Sequence, residues 1–185
     1  ERAVPAQRAW AAAPFEERAA VLRRAGDLLL AHTGEIREWL ARESGAIAGF
    51  AEFQVMTSAQ ECFEAAALPG HPYGDLLRTT MPRLSFARRI PAGVVGVIAP
   101  FNVPTILAIR AVAPALALGN AVILKPDPRT AVVGGVLFAR IFEEAGLPAG
   151  VLQVLPGGPD VGEALVTEPA VRIIAFTGST RAGRK

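Results

Sequence analysis

Cysteine and lysine are scarce in this sequence of 185 residues. The single cysteine, Cys62, allows no disulfide within the chain, so a reducing, cytoplasmic location is expected. Only two lysines occur, Lys125 and Lys185, and the other basic residues are all arginines. The 19 basic residues exceed the 17 acidic ones so slightly that the formal net charge is +2, and no nucleic-acid partner is expected.

Metal-ligand spacing and an uninterrupted apolar helix are missing as well. The two histidines, His32 and His71, stand apart from each other and from Cys62, so no metal site is expected. Residues 90–109 form a charge-free run of twenty residues, above the length of about 18 that can span a bilayer. Prolines and glycines interrupt this run, which favours a buried strand followed by a turn over a membrane span.

The remaining composition, 51% hydrophobic and 19% charged, is typical of a globular chain. Residues 1–70 are predicted to form an N-terminal helical region, because apolar residues recur there at helical spacing. Its helices are expected to end near Ala31, to span Thr33–Leu40 and to cover Ala46–Ala67. Residues 71–90 are predicted to hold a loop that lasts to Gly74 and then two extended strands within Thr79–Ile90.

Residues 91–185 alternate between strand and helix patterns. Strands are predicted at Val94–Ile98, Ala121–Leu124, Val151–Val154 and Arg172–Phe176, and helices at Val103–Leu118, Thr130–Ala145 and Asp160–Val166. Asp160 and Glu163 fit a capping box at the start of the last helix. Helix-length connections between short apolar strands indicate parallel pairing. The chain is therefore predicted to be an α/β protein with a doubly wound, Rossmann-like sheet that is incomplete at its C-terminal end.

Polar residues and glycines gather where the predicted strands end. Asn102 follows the first strand, Lys125 ends the second, Gly158 follows the third, and Gly178 follows the fourth. Doubly wound sheets bind ligands beyond the carboxyl ends of their strands, so these residues are the candidates for a site. The dinucleotide fingerprint Gly-x-Gly-x-x-Gly is absent, because the glycines after the third strand have a different spacing.

Four motifs occur in the order in which the aldehyde dehydrogenase superfamily has them. They are Pro-Phe-Asn-Val-Pro at 100–104, Ala-Leu-Ala-Leu-Gly-Asn at 115–120, Lys-Pro at 125–126 and Phe-Thr-Gly-Ser at 176–179. The chain resembles this superfamily over nearly its whole length, and residues 125–130 are most similar to its benzaldehyde-type branch. The resemblance implies a truncated aldehyde dehydrogenase fold, in which residues 71–90 belong to an arm that bridges subunits of a homo-oligomer.

The resemblance also implies an NAD(P)-dependent oxidation of an aldehyde, expected to be aromatic, to the carboxylic acid. Asn102 is then a catalytic residue, whose amide donates to the oxyanion formed when a thiolate adds to the aldehyde. Lys125 is expected to bind the adenosine ribose, and the backbone at Gly178 and Ser179 the pyrophosphate. The remaining expected cofactor contacts are Ile98, Pro100, Gly158 and Gly183. NAD is the expected cofactor; many family members place a glutamate three residues after this lysine, and Pro128 in that position leaves NADP open.

Each candidate also has an ordinary structural interpretation. Asn102 could form an Asx turn beside a proline, and Lys125 could be a solvated side chain at a strand end. Ser179 could be a simple helix cap. Asn120, which follows a glycine, is expected to be a turn residue at a helix C-terminus rather than a ligand contact.

The nucleophilic cysteine and the general-base glutamate of the resembled family are not expected among these residues. Cys62 lies within a predicted helix among apolar residues, where a thiol is inert. We therefore expect the 185 residues to be an inactive fragment of a larger enzyme. A non-catalytic nucleotide-binding module, or a degenerate relic, is the open alternative, and sequence beyond Lys185 would distinguish the two.

Overall fold

The predicted N-terminal helices are confirmed, with small differences at their ends. The structure is a computed structural model that describes residues 2–184, so Glu1 and Lys185, the outer ends of the predicted parts, lie outside it. The helices are α1 (Ala3–Ala12), α2 (Phe15–Ala31), α3 (Thr33–Ser44) and α4 (Ala48–Ala67). Helix α3 runs four residues beyond its predicted end because Gly45, at φ 69°, closes it with an N–H that donates to Ala41.

The two extended strands form a hairpin that begins earlier than predicted. Strand β1 (Gly74–Leu77) pairs antiparallel with β2 (Ser85–Arg88), so the first strand starts at the glycine that was expected to end a loop. At Gly74 the neighbouring strand comes so close that a Cβ would collide with the carbonyl oxygen of Ala87. The glycine therefore permits close strand pairing here, a use that its sequence position does not reveal.

The predicted parallel sheet is confirmed. It contains β3 (Val94–Ile98), β4 (Ala121–Lys125), β5 (Leu152–Val154) and β6 (Val171–Phe176). The strands lie in the order β5-β4-β3-β6, and each neighbouring pair is parallel. The chain builds outward from β3 through β4 to β5 and then returns to the other side of β3. The direction of winding therefore changes between β3 and β6, which is where such sheets bind ligands.

The second crossover is not the single helix that was predicted for Thr130–Ala145. It begins with a 3₁₀ turn (Pro128–Thr130), continues as a π-helix (Val132–Val136) and ends as α6 (Leu137–Glu144). The carboxylate of Glu43 accepts hydrogen bonds from the backbone N–H groups of Val132 and Val133, at 3.1 and 2.7 Å. These bonds hold the start of the wide helical turn, and they come from a residue about 90 positions away in the sequence.

The other two crossovers are helix α5 (Pro104–Ala117) and helix α7 (Pro159–Thr167), and a short helix α8 (Thr180–Gly183) follows β6. The predicted capping box of Asp160 and Glu163 is wrong. Helix α7 starts one residue earlier, with Gly158 as its N-cap and no capping side chain. Pro159 at the first helical position explains the difference, because its fixed φ suits that position and it needs no hydrogen-bond acceptor.

The helices of the N-terminal part and the sheet share one hydrophobic cluster, which includes Leu22 of α2, Val55 of α4 and Val122 of β4. Polar side chains join them as well. The Trp10 indole donates to the carbonyl of Leu116, and the Arg18 guanidinium donates to that of Ala117, at 2.8 and 3.0 Å. Both carbonyls belong to the last turn of α5, where no intrahelical donor is left. The division of the chain at residues 70 and 90 stays a prediction.

Within residues 2–184, none of the helices combines the length and the apolar character needed to cross a membrane.

Replacing Gly135 by alanine should destabilise the protein. A Cβ on Gly135 would lie 2.7 Å from Cγ of Pro126 and 3.0 Å from Cγ1 of Val154, so the π-helix would have to move away from the sheet. Overpacking of this kind typically costs about 1 to 3 kcal/mol. Urea denaturation of the variant measures the loss.

Gly34→Ala is the matched control, because a Cβ on Gly34 of α3 would meet no atom within 4 Å. This substitution should be neutral or should stabilise by up to about 1 kcal/mol, since alanine favours the helix more than glycine. Equal unfolding midpoints for the two variants would contradict the packing argument.

Candidate active site

Three side chains lie at the same level of the sheet, at the carboxyl ends of neighbouring strands. Ile98 of β3 pairs with Lys125 of β4 on one side and with Phe176 of β6 on the other. Residues paired in a parallel sheet point to the same face, so these three side chains form a row. The strands stay in register just beyond this row. Ala99 N–H donates to the Lys125 carbonyl and Thr177 N–H donates to the Ile98 carbonyl, both at 3.1 Å.

Helix α7 covers two members of this row. A Cβ on Gly162 would lie 3.8 Å from Cδ of Lys125 and 3.9 Å from Cδ1 of Ile98, so the lysine stem runs under the first turns of α7. Gly158, the N-cap of this helix, is half-buried. The predicted contacts Ile98, Lys125 and Gly158 are thus brought together at one end of the sheet.

Lys125 is buried, with 7% of its surface exposed, and its Nζ donates to the carbonyl oxygen of Pro126 at 3.2 Å. Burial lowers the pKa of this ammonium, while the nearby carboxylates of Asp127 and Asp160 act in the opposite direction. The alternative of a solvated lysine therefore does not describe this side chain. A buried charge near carboxylates of the opposite sign is typical of functional sites as well as of structural ion networks.

The turn after β6 is shaped by the ring of Phe176. A Cβ on Gly178 would lie 2.5 Å from Cζ of that ring, and a Cβ on Gly183 would lie 3.1 Å from Cε1. The two glycines let the chain fold closely over the ring. Ser179 is the N-cap of α8, and its hydroxyl accepts from the N–H of Ala182 at 3.2 Å, so the interpretation as a helix cap is correct.

Two backbone N–H groups of this turn take no part in the helix cap. Among residues 2–184, the backbone N–H groups of Gly178 and Ser179 donate to no other group. Both residues are exposed. Free N–H groups that precede a helix favour an anionic ligand, so the cap and the predicted phosphate contact are compatible.

Asn102 lies beyond the end of β3, in the loop that leads into α5. Its side chain is exposed, and the structure gives it no hydrogen bond to any residue from 2 to 184. An Asx turn requires a bond from this side chain to the backbone, so that alternative is not observed. Pro100, two residues before it, is half-buried at the same end of the sheet.

The loop of Asn102 is joined to the loop of Lys125 by charged and aromatic side chains that sequence reasoning missed. The guanidinium of Arg129 lies 3.5 Å from the centre of the Phe101 ring. The same guanidinium makes two hydrogen bonds to the carboxylate of Asp127, at 2.8 and 2.9 Å. Opposite charges two residues apart, directly after Lys125, were the signal for this ion pair, whereas the stacking on Phe101 had none.

Asn120 and Cys62, the other residues singled out in the sequence, have structural roles. The Asn120 amide accepts from Gly93 N–H and donates to the Ala115 carbonyl, both at 3.1 Å, which confirms a turn residue. Cys62 is fully buried in α4, and burial together with the neighbouring Glu61 raises the pKa of its thiol to about 12. Within residues 2–184, His, Cys, Asp and Glu side chains form no group of three that could hold a metal ion.

Comparison with known proteins agrees with this architecture. The family model described as "Aldehyde dehydrogenase family" matches residues 1–185. The chain belongs to the aldehyde dehydrogenase family.

Relatives at high identity act on aromatic aldehydes, according to their names. The chain is 70% identical over 183 residues to a vanillin dehydrogenase of Amycolatopsis sp., a match that covers 99% of this chain and 38% of that protein. It is 52% identical over 180 residues to the benzaldehyde dehydrogenase [NAD(+)] of Pseudomonas putida, covering 97% of this chain and 37% of the relative. The chain thus spans less than two fifths of the length of these relatives.

A solved structure shows the same fold. An NAD-dependent benzaldehyde dehydrogenase from Corynebacterium glutamicum superimposes with a TM-score of 0.95 at 46% identity, over 98% of this chain and 40% of that one. The aldehyde dehydrogenase fold expected from the four motifs is confirmed.

Replacement of Cys62 by serine should leave activity of the full-length enzyme nearly unchanged. The thiol is enclosed between α4 and its neighbours, and its raised pKa keeps it protonated at every pH below about 12. Steady-state rates of the variant measure the effect. Iodoacetamide should also leave Cys62 unmodified in the folded protein and alkylate it in urea, as mass spectrometry can show; loss of all turnover in a folded Cys62→Ser protein would reverse this assignment.

Proposed function

We propose that these residues form the cofactor groove and the oxyanion donor of an NAD-dependent dehydrogenase that oxidises aromatic aldehydes to carboxylic acids. One observation carries the proposal: a buried lysine, Lys125, ends β4, and an exposed amide, Asn102, with no bond to residues 2–184, follows the neighbouring strand β3 at the same end of the sheet. The names of the relatives favour an aromatic substrate and NAD. Formation of NADH with benzaldehyde or vanillin by the full-length enzyme is the direct test.

The row at the strand ends suits a dinucleotide. In our proposal Lys125 donates to the ribose hydroxyls, since its ammonium is held at a fixed place by its buried stem. The free N–H groups of Gly178 and Ser179 bind the pyrophosphate. The glycines at 158 and 183 allow close approach of the backbone, and Ile98 and Pro100 form the apolar wall beside them. Bound NAD would supply the hydride acceptor.

We infer NAD rather than NADP from the charges around Lys125. Asp127 and Asp160 act on its ammonium, and the Arg129 guanidinium is already paired with Asp127. A ribose 2′-phosphate near Lys125 would therefore meet the negative charge of these two carboxylates. Pro128, three residues after Lys125, carries no charge. The negative charge near Lys125 comes instead from Asp127 and Asp160.

Asn102 is proposed to stabilise the oxyanion that forms when a thiolate adds to the aldehyde carbon. An amide N–H can donate to developing negative charge without changing its own protonation, and one such donor is typically worth about 3 to 4 kcal/mol in the transition state. The amide is exposed and makes no bond that the substrate would first have to break.

The thiolate itself must come from outside these 185 residues, because Cys62 is their only cysteine and is buried in α4. A nucleophile has to lie within hydrogen-bond reach of its base and its substrate. We therefore propose that the 185 residues alone do not complete the reaction, and that the full-length protein does.

We further propose a cytoplasmic homo-oligomer. The single cysteine fits a reducing compartment. On the β1–β2 hairpin Leu76 and Phe86 are directly paired and both exposed, at 75% and 63% of their surface. Two large apolar side chains on one face of a projecting hairpin suit a contact with a second copy of the chain.

Replacing Asn102 by alanine should lower the rate of acylation about a hundredfold or more while NAD affinity changes little, because the donor acts mainly in the transition state. Single-turnover hydride transfer measures this step. Asn120→Ala is the matched control, since that amide is bonded to the backbone of Gly93 and Ala115 and its loss should reduce stability rather than acylation. Hydride transfer within a few-fold of wild type in Asn102→Ala would refute the role.

Replacing Lys125 by methionine should weaken NAD binding by about 1 to 3 kcal/mol, since the change removes a charge-assisted donor but keeps an apolar stem of similar length. Fluorescence titration with NAD and NADP measures the dissociation constants. Arg172→Met, at the opposite end of the sheet, is the control and should bind NAD normally. An unchanged dissociation constant in Lys125→Met would rule out the ribose contact.

A further inference from the structure

Three fully buried polar side chains lie where α4 meets the first turn of α5. They are Gln54 and Ser58 of α4, each with no exposed surface, and Thr105 of α5, with 1% exposed. The hydroxyl of Thr105 donates to Oε1 of Gln54 at 3.2 Å. Gln54 and Ser58 are four residues apart on one helix, so their side chains are neighbours on the same face.

Elsewhere the buried part of the contact between these two helices is apolar, and one exposed ion pair, in which Arg110 Nε of α5 donates to the Glu61 carboxylate of α4 at 2.7 Å, lies at its edge. The apolar part includes the buried residues Ala59 and Cys62 of α4 and Ile109 and Val112 of α5, all within one hydrophobic cluster. The buried polar side chains of the two helices are therefore confined to the end of the contact nearest Asn102. This placement is costly, because a polar group removed from water loses free energy unless it is hydrogen-bonded.

Two of these buried polar side chains have an atom without a hydrogen-bond partner among residues 2–184. Within residues 2–184, Nε2 of Gln54 and Oγ of Ser58 have no partner among the protein groups. Buried polar atoms of this kind are uncommon, and each one calls for an explanation. One enclosed water molecule between Gln54 and Ser58 would satisfy both, since a buried water commonly makes about three hydrogen bonds.

The Thr105 bond is placed to control the loop that carries Asn102. Helix α5 begins at Pro104, and its N-cap, Val103, supplies no side-chain bond. In the part of the chain that the structure describes, the bond from Thr105 to Gln54 is the one side-chain hydrogen bond made by residues 102–108. Asn102 is three residues before Thr105, so a shift of this turn moves the amide.

We propose that Gln54 is a positioning residue for Asn102, and that it fixes the direction of the Asn102 amide by accepting a hydrogen bond from Thr105 in the first turn of α5. The inference rests on the proposed role of Asn102 as oxyanion donor. A donor of this kind has to lie about 2.7 to 3.1 Å from the oxyanion, so a small displacement of the turn is enough to lose the interaction.

Two substitutions test the bond in the full-length enzyme. Thr105→Val removes the hydroxyl and keeps the side-chain shape, whereas Gln54→Met removes the acceptor. Each should slow single-turnover hydride transfer about tenfold, a partial loss of an aligned geometry, while the dissociation constant of NAD stays within about twofold of wild type. Thr105→Ser keeps the hydroxyl and should restore most of the rate.

The decisive measurement repeats both substitutions in an Asn102→Ala background. If Gln54 acts through Asn102, neither should cause a further loss of rate there. Val55→Ala is the control for general loosening, because it leaves a cavity on α4 and removes no polar contact; it should lower the unfolding midpoint and leave hydride transfer unchanged.

Three outcomes overturn the inference while leaving the function of Asn102 intact. They are a normal rate in both Thr105→Val and Gln54→Met, an equal loss with and without the Asn102 amide, and an equal loss in Val55→Ala. A normal rate in Asn102→Ala itself is a separate outcome, which removes the oxyanion role and the inference together.

Discussion

The packing of α5 between the sheet and α4 is the contact on which the rest of the structure depends. Six of its residues have no exposed surface at all: Ala108, Ile109, Val112, Ala113, Leu116 and Ala117. The C-terminal turn of α5 is held by Trp10 and Arg18, which satisfy its last carbonyl groups. The other end emerges from the loop of Asn102. A helix fixed along its sides and at its last turn gives that loop a rigid base, and a rigid base is what a precisely directed amide requires.

The surroundings of Lys125 show two opposing effects that together suit a ligand. Burial disfavours its charged form, and the carboxylates of Asp127 and Asp160 favour it. The stem lies under α7 and beside Ile98, while Nζ donates to the carbonyl of Pro126. Arginine would not fit this role equally well, since its wide planar fork needs more room than a compact ammonium. The compact size of the ammonium thus accounts for a lysine at this position in a chain that otherwise uses arginine.

Strands and motifs could be predicted from the sequence because their signals are local. The valine-rich run of β3 lies between glycine and proline residues, and Pro-Phe-Asn-Val-Pro follows it directly. Features that depend on distant partners could not be predicted. The start of the π-helix is bonded to Glu43, and Gly74 begins a strand that lies closely against β2. The capping box failed for a local reason, since Pro159 was a stronger start signal than Asp160.

The same limit applies to the candidate site. Asn102, Lys125 and the Gly-Ser turn became candidates through motifs and strand ends, whereas Gln54 could not, because a glutamine within an amphipathic helix carries no sign of burial. Only the packing of α4 on α5 shows that this glutamine has lost its water and has taken Thr105 as a partner. The contact joins residues 51 positions apart.

The two asparagines of the chain show how position decides what an amide does. Asn120 is buried, and its amide accepts from Gly93 N–H and donates to the Ala115 carbonyl. Asn102 is exposed beyond a strand end and bonds to no residue from 2 to 184. An amide whose bonds are all made within the protein stabilises the native state, whereas one held in place with its bonds unmade can act on a substrate. The fold meets the second condition at Asn102 by fixing the backbone on both sides, through the sheet before it and through α5 after it, and leaving the side chain itself free.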